Sequence, residues 1–178
     1  MIHEIFTMVI PVFLGGITFI FFLKSSLSYI LNIPLDGGCT LFGKPIFGKN
    51  KTLRGPLVMS VSTAFWGYIV YAIFYPSVMS PMQIVFRFAL VGCAYHIGEL
   101  PNSFVKRRFG IPPGSHPPKK PYQILTRIID TTDGLFSVGV MYYFIFTFSL
   151  QSILVAVFVG IFLHQATDML MVSLHLKK

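Results

Sequence analysis

Five long apolar segments constrain the fold of this chain more than any other feature of its sequence. A membrane-spanning helix needs roughly 20 mostly apolar residues. The segments that meet this requirement are residues 5–31, 57–75, 82–100, 128–148 and 152–174. Only 11% of the 178 residues are charged, whereas a soluble domain carries about 25%. We therefore predict an all-α integral membrane protein with one domain over residues 1–178 and five transmembrane helices.

The connections between these segments alternate in character. Residues 76–81 and 149–152 are short and uncharged, whereas residues 34–56 and 101–127 are long and basic. Twelve of the fourteen Lys and Arg residues fall on one side: Lys44, Lys49, Lys51, Arg54, Lys106, Arg107, Arg108, Lys119, Lys120, Arg127, Lys177 and Lys178. Because basic loops stay in the cytoplasm, we expect the N-terminus outside and the C-terminus inside the cell. The net charge of +8 is then explained by basic residues at the cytoplasmic face of the membrane. We therefore expect no nucleic-acid partner.

The first basic connection contains a near match to a phosphate-binding loop, LFGKPIFGKNKTLRG, at residues 41–55. Gly43, Gly48 and Lys49 fit the G-x-x-x-x-G-K pattern, but Asn50 stands where Ser or Thr would hold magnesium. A true loop of this kind also joins a strand to a helix, and no strand pattern precedes Gly43. We therefore reject that interpretation.

The same connection still has the residues that a polyanion requires. Its cations are Lys44, Lys49, Lys51 and Arg54, its neutral hydrogen-bonding groups are Asn50 and Thr52, and its glycines permit close backbone approach. The N-terminus of the following helix also favours an anion. We predict that the loop binds phosphates. Membrane topology alone would also account for the charges, but it requires none of the Gly, Asn and Thr residues.

The second basic connection begins with GELPNSFVKRRFGIPPG, residues 98–114. Glu99 lies near membrane depth, where an ionisable group is a functional candidate; pairing with a nearby Lys or Arg is the alternative. Asn102, Ser103 and Lys106 follow at close spacing. Residues 111–121 contain too many prolines for a helix and predict a stiff cover, in which we expect His116 to be solvated.

Two aspartates open the fourth apolar segment. Asp130 and Asp133 lie three residues apart, so in a helix they share a face. Mg²⁺ commonly takes one or two carboxylates together with substrate phosphates, whereas helix capping explains one aspartate better than two. We predict a magnesium site here, and a cytoplasmic site for a nucleoside triphosphate and a lipid. For His164 and Asp168, four residues apart, we expect a structural pair, with an active-site role left open.

These motifs resemble those of the archaeal CDP-archaeol synthase family. LDGGCTLFGKPIFGKNKTLRGP is similar to its first signature, GELPNSFVKRRFGIPPG to its second cytoplasmic segment, and IDTTDG to its acidic signature. The more distant CDP-diacylglycerol synthases share the patterns G-D-L-x-x-S-x-x-K-R and D-R-x-D-S. This sequence departs from them at Glu99, Thr131 and Gly134.

The resemblance implies that CTP and 2,3-bis-O-geranylgeranylglycerol 1-phosphate react to give CDP-archaeol and pyrophosphate at the cytoplasmic face of a multi-pass membrane protein. Asp130 and Asp133 would bind Mg²⁺, with Glu99 as a weaker candidate. The loop cations would hold phosphates, Asn50, Thr52, Asn102 and Ser103 would position CTP, and Lys106 and Arg107 would meet pyrophosphate or the lipid phosphate. Three alternatives stay open: a synthase for phosphatidic acid, a CTP-dependent polyprenol kinase, and a small membrane transporter. The sequence leaves the oligomeric state open.

Overall fold

The computed structural model describes residues 1–115, 117 and 120–174, and these are mostly helical. The helices are α1 (Ile2–Lys24), α2 (Arg54–Phe74), α3 (Pro81–Gly98), α4 (Leu100–Arg108), α5 (Lys120–Phe146) and α6 (Leu150–Ser173). Two short antiparallel strands, β1 (Thr40–Leu41) and β2 (Lys44–Pro45), lie between α1 and α2. A single 3-10 turn, Ser26–Tyr29, follows α1.

Within the described residues, four helical stretches are long and apolar enough to cross a membrane. They are Ile2–Lys24, Arg54–Phe74, Pro81–Arg108 and Leu150–Ser173. Four of the five predicted spans thus correspond to helices that could cross a membrane, although the first ends at Lys24 and not at residue 31. The predicted fifth, residues 128–148, lies mostly in α5, which begins earlier, at Lys120, and carries two aspartates that lower its hydropathy. The all-helical membrane class is consistent with this result, and the crossing of α5 stays a prediction.

The helices run up and down, so that their ends form two groups. At one end, Glu4 accepts a hydrogen bond from Ser149, and the His3 ring stacks on Phe74 at 5.1 Å between centroids. At the other end, the His96 ring lies 5.2 Å from that of Phe19. The end that contains His96 also carries the two basic connections, and we call it the polar end.

Glycines set the closest approaches between helices. A Cβ atom added to Gly92 in α3 would lie 2.2 Å from the Met59 carbonyl oxygen of α2, and one added to Gly98 would lie 2.0 Å from Ser137 Oγ of α5. No side chain fits in such a gap. These glycines therefore fix α3 between α2 and α5, near the polar end.

Aromatic side chains fill the core, while others cover the outer surface. The rings of Phe88 and Phe146 lie 4.9 Å apart, and Tyr142 packs beside both at 6.2 and 5.4 Å. Such pairs contribute beyond the area that they bury. Large apolar side chains such as Phe144 and Phe21 are instead exposed, which is the surface expected where lipid chains replace water.

The predicted loop over 101–127 is largely helical, which differs from the sequence-based expectation. Pro101 starts α4, where a missing amide hydrogen costs nothing, and the residues that follow are compatible with a helix up to Arg108. The first turns of α5 occupy residues 120–127. The stretch at 111–115 is non-helical, as the prolines predicted. The same prediction is wrong for Lys120 and Pro121, which are the first residues of α5. His116 and Lys119, which were assigned to the proline-rich cover and the basic loop, lie outside the described residues, as do Lys177 and Lys178.

Candidate functional site

The first basic connection is a closed loop. Pro34 and Thr52 form an isolated antiparallel bridge. The Leu35 amide donates to the Lys51 carbonyl at 2.8 Å, and the Leu53 amide donates to the Ile33 carbonyl at 2.9 Å. Both ends of the loop are thereby joined just before α2, so the intervening residues hold a defined position above the polar end.

Asp36 organises the interior of this loop. Its Oδ2 accepts hydrogen bonds from the amides of Phe47 at 2.9 Å and Gly48 at 3.0 Å, while Oδ1 accepts from Gly38 at 3.0 Å. Partial burial opposes ionisation, but the amides of Gly48, Phe47 and Gly38 outweigh it and lower the pKa of the Asp36 carboxyl. The carboxylate thus links the two halves of the loop through hydrogen bonds to backbone amides.

The tip of the loop is a tight hairpin that docks on α4. Phe42 and Gly43 both have positive φ, 52° and 72°, as a two-residue turn of the mirror-image type I′ requires. Arg108 donates to the carbonyls of Leu41, Lys44 and Pro45. In return, Lys44 Nζ donates to the Arg108 carbonyl at 2.8 Å. Lys44, predicted to hold phosphate, therefore has a structural partner in this arrangement.

Glu99 lies at the junction of α3 and α4 and joins the loop to the helices. Its Oε2 forms an ion pair with Lys51 Nζ and lies 3.5 Å from His96 Nδ1. The side chains of all three are largely buried. The predicted alternative for Glu99, pairing with a basic residue, is the arrangement that the structure shows.

A second polar cluster lies between α4 and α5. Asn102 Nδ2 donates to Asp130 Oδ1 at 2.6 Å and to Asp133 Oδ2 at 2.9 Å, so one amide bridges the two aspartates. Lys106 Nζ also pairs with Asp130 Oδ1. The aspartates share a face of α5, as their spacing predicted, and α4 brings Asn102 and Lys106 to that face.

Local spacing and close packing together explain why these clusters are adjacent. Glu99, Asn102 and Lys106 are spaced three and four residues apart, so they follow one face of a helix. The gap at Gly98, where an added Cβ would lie 3.0 Å from the Asp133 carbonyl, holds α3 and α5 close just before α4 starts. At Gly134 the corresponding atom would lie 2.9 Å from the Tyr95 carbonyl. Gly98 and Gly134 therefore bring α5, which carries the two aspartates, close to the start of α4, which carries Asn102 and Lys106.

The remaining predicted residues divide into exposed and buried groups. Lys49 and Asn50 are exposed in the turn that follows Gly48. Thr52 is buried and accepts from Arg54 Nε at 3.1 Å, and Ser103 is buried in α4. Arg107 is also buried and donates to the Ile111 carbonyl, so it anchors the proline-rich segment. Their roles in substrate binding stay predictions.

Three residues important to this geometry were not singled out from the sequence as site residues. Asp36 had a local signal, since an aspartate before two glycines commonly organises a turn. Arg108 had none, because its partners lie far away along the chain, whereas His96 lies three residues before Glu99, a local spacing that could have indicated their contact. Arg108, for example, contacts Leu41, 67 residues earlier.

The donor set at α5 suits a magnesium ion. Asp130 and Asp133 present hard carboxylate oxygens that one amide already holds together, and Mg²⁺ commonly binds one or two carboxylates plus phosphates. Among the described residues, no three or more His, Cys, Asp or Glu side chains gather as a metal site. Glu99 is instead paired with Lys51 and His96. The two aspartates alone therefore fit the ion, with further ligands left to a substrate.

Fold and site together define an apolar helical protein that carries basic and acidic side chains in one region at the polar end. The chain matches the family model described as CarS-like, CDP-archaeol synthase, over residues 6–178, and it belongs to that family.

A curated relative supports the same grouping. The chain is similar to a protein named CDP-archaeol synthase from Pyrococcus furiosus, with 36% identity over 107 residues. This alignment covers 58% of the chain and 53% of the relative, so the chain matches about half the length of that protein. No solved structure matches the chain.

Proposed function

We propose that the chain transfers the CMP moiety of CTP to 2,3-bis-O-geranylgeranylglycerol 1-phosphate, forming CDP-archaeol and pyrophosphate. The reaction would take place at the cytoplasmic face of a membrane that α5 also crosses. Membership of the CDP-archaeol synthase family over residues 6–178 supports the activity. The concentration of basic residues at the polar end supports the orientation.

The observation that carries this proposal is the pairing of carboxylates with exchangeable side chains. Asp130 and Asp133 are satisfied by Asn102 and Lys106, and Glu99 by Lys51. Those amide and ammonium groups are the groups that a triphosphate would attract. Substrate and metal can therefore replace partners that the protein supplies to itself, without any unfolding of the backbone.

Each cation then has a distinct role. Lys49 and Lys51, with Arg54 at the start of α2, would bind CTP phosphates, and Lys106 would meet pyrophosphate or the lipid phosphate. Glu99 would orient Lys51. Lys44 and Arg107, whose side chains hold backbone carbonyls, would act mainly by keeping the loop and the proline-rich segment in place.

The chemistry needs no general base. A phosphate monoester has a second pKa near 6, so the lipid phosphate is largely dianionic at neutral pH. One of its oxygens forms a bond to the α-phosphorus of CTP. The bond from that phosphorus to the oxygen that bridges to the β-phosphate breaks, and pyrophosphate leaves with the electron pair. The protein's contribution is to align the two phosphates and to offset their charge.

Magnesium would supply Lewis-acid stabilisation of the triphosphate and of the leaving pyrophosphate. Asp130 and Asp133 would hold it. With the ion bound, Lys106 and Asn102 would be released toward the phosphates, which are the acceptors that their N–H groups prefer.

The test uses purified full-length protein in detergent with CTP, Mg²⁺ and either the geranylgeranyl ether phosphate or phosphatidic acid. We expect pyrophosphate release and CDP-lipid formation with the ether lipid, and little with the ester. Equal turnover of both lipids would retain the chemistry and overturn the lipid assignment.

The same assay separates the other activities. A kinase that transfers the γ-phosphoryl group would release CDP rather than pyrophosphate, so it should be assayed with a polyprenol as acceptor. Neither product from any lipid, in protein that unfolds cooperatively, would refute the enzyme and favour a transporter.

A further inference from the structure

A cavity of about 150 Å³ lies among α1, α3, α5 and α6 and is separate from the loop that binds CTP in the proposal. Apolar side chains line most of it, among them Met8, Val12 and Ile153. Tyr142 also lines this apolar part, but its hydroxyl donates to the Met8 carbonyl at 3.2 Å. The apolar part of the cavity therefore offers few polar groups to a ligand.

Polar side chains enter the cavity wall at the polar end. They are Tyr95, His96, Glu99, His164, Thr167 and Asp168. Glu99 belongs both to this wall and to the ion pair with Lys51. The cavity is thus continuous with the candidate site, and it leads from charged groups into an apolar interior.

Tyr95 and His164 join two helices across this polar part. The Tyr95 hydroxyl lies 2.6 Å from His164 Nδ1. The helix α6 packs mainly on α1 and α5, and among the described residues it has little close backbone approach to α3. The Tyr95 ring also lies beside Gly134, where an added Cβ would be 3.3 Å from ring atoms. The Tyr95–His164 pair therefore lies next to Gly134, the residue that follows Asp133.

The cavity extends along most of the membrane depth. On α6 it is lined from Ile153 to Met171, and eighteen steps of 1.5 Å make about 27 Å. The hydrocarbon core of a bilayer is about 30 Å thick. About 150 Å³ is the volume that holds a benzene-sized ligand, so the cavity accommodates a stretch of a lipid chain rather than a whole one. A water-soluble ligand would leave its polar groups unsatisfied in the apolar part.

We infer that this cavity binds part of one isoprenoid chain of the lipid phosphate, with the Tyr95–His164 pair where that chain meets the glycerol. This inference rests on the proposed function, because it assigns the chain position of that substrate. Membrane lipid is as apolar as the cavity wall, so burial adds little affinity by itself. The cavity instead fixes the position of the chain, and through it that of the phosphate beside Asp130 and Asp133.

A larger side chain at Gly16 should block the cavity. It lines the wall, and an added Cβ would meet nothing within 4 Å. Gly16→Leu should therefore fill the cavity without disturbing the packing of helices. Ala72→Leu is the matched control, since Ala72 is exposed on α2, outside the cavity.

We expect Gly16→Leu to lower kcat/KM for the long-chain ether phosphate about tenfold or more, because a chain excluded from the filled cavity no longer holds the phosphate beside Asp130 and Asp133. KM for CTP should not change, nor should the slow turnover of glycerol phosphate carrying only methyl ethers. Ala72→Leu should match the wild type with every substrate. Equal long-chain kinetics in the two leucine variants would overturn the inference.

The polar pair is tested by removal of a single oxygen. Tyr95→Phe should raise KM for the lipid about threefold to tenfold and leave KM for CTP unchanged. His164→Gln, which can still accept from the tyrosine, should retain more lipid affinity than His164→Leu. Equal losses in lipid and CTP affinity would indicate a merely structural pair.

A crosslinking experiment separates this inference from the proposed function. A long-chain ether phosphate with a photoreactive group at its chain end should label peptides of α1 or α6 in the wild type, and far less in Gly16→Leu. Labelling without turnover would retain the cavity and refute the reaction. Turnover with labelling only of lipid-facing α2 residues would retain the reaction and refute the cavity.

Discussion

The molecule has two sites at which aspartate carboxylates accept several hydrogen bonds, and the donors at the two sites differ in kind. One site is Asp36, and the other is the pair Asp130 and Asp133. Asp36 accepts from three backbone amides, which move only if the loop unfolds. Asp133 Oδ1 also accepts from the Gly134 amide at 2.7 Å. Asp133 Oδ2 and Asp130 instead accept from Asn102, and Asp130 also from Lys106, and these side chains can turn toward another partner. We conclude that Asp36 holds structure, whereas the aspartate pair is available for a ligand.

Among the variants that test this comparison, Asp133→Asn should have the largest effect on activity. It removes one negative charge from the proposed magnesium site while an oxygen can still accept from Asn102. We expect kcat to fall about 10²–10³-fold, the loss typical when one group that stabilises transition-state charge is removed. The measurement is CDP-lipid formation across a magnesium titration.

Glu4→Gln is the matched control, since it makes the same change at the opposite end of the helices, where Glu4 accepts from Ser149 at 2.9 Å. Normal turnover of folded Asp133→Asn at low Mg²⁺ would refute the metal assignment.

Gly98→Ala should have the second-largest effect, because it changes the packing that brings the aspartates to α4. The new Cβ would lie 2.0 Å from Ser137 Oγ, so α3 and α5 must separate. We expect a loss of about 1–3 kcal/mol in unfolding free energy together with reduced activity, measured by thermal unfolding in detergent and by turnover.

Gly16→Ala is the control for helix propensity in the unfolding measurement only, since its Cβ meets nothing within 4 Å but Gly16 lines the proposed lipid cavity. Adding Ser137→Gly should recover part of the loss at Gly98. If both glycine variants were equally stable, the close approach of α3 and α5 would not be what positions the site.

Asp36→Asn should have a smaller effect, of a different kind. The amide keeps one acceptor oxygen but leaves part of the Phe47, Gly48 and Gly38 donor set unsatisfied, at a cost of about 1–3 kcal/mol within the loop. We expect a higher KM for CTP with nearly normal kcat at saturation. Hydrogen exchange at the Phe47 and Gly48 amides should be faster. A reduced kcat with unchanged KM for CTP would instead place Asp36 in the chemistry.

The pH dependence of the loop should be the smallest effect. The Asp36 pKa is lowered from its ordinary value of 3.8 in the folded protein, so its contribution to stability is complete above that value. The contribution is lost only as the pH falls below 3.8 toward the folded-state pKa. We expect protection of the Gly48 amide to be constant from neutral pH down to about 5, and to weaken in stronger acid. Protection lost already between pH 6 and 5 would contradict this assignment.

Much of the site was predictable because its spacing is local. The three-residue interval between Asp130 and Asp133 predicted their common face. The close spacing of Asn102, Ser103 and Lys106 was also visible, but no helix was predicted there to give these residues a common face. The extent of the helices was less predictable: α4 and the start of α5 occupy a region that its prolines and charges indicated as loop. Individual prolines end or start helices, and here Pro101 starts one.

The sequence by itself determined that the chain is apolar, helical and basic at one end, because hydropathy and charge are properties of each segment alone. Tertiary structure alone decided which groups meet. Lys51 pairs with Glu99 across 48 positions, and Asn102 with Asp130 across 28. Such pairings depend on how closely helices approach, and here that distance is set by glycines that leave no room for a side chain.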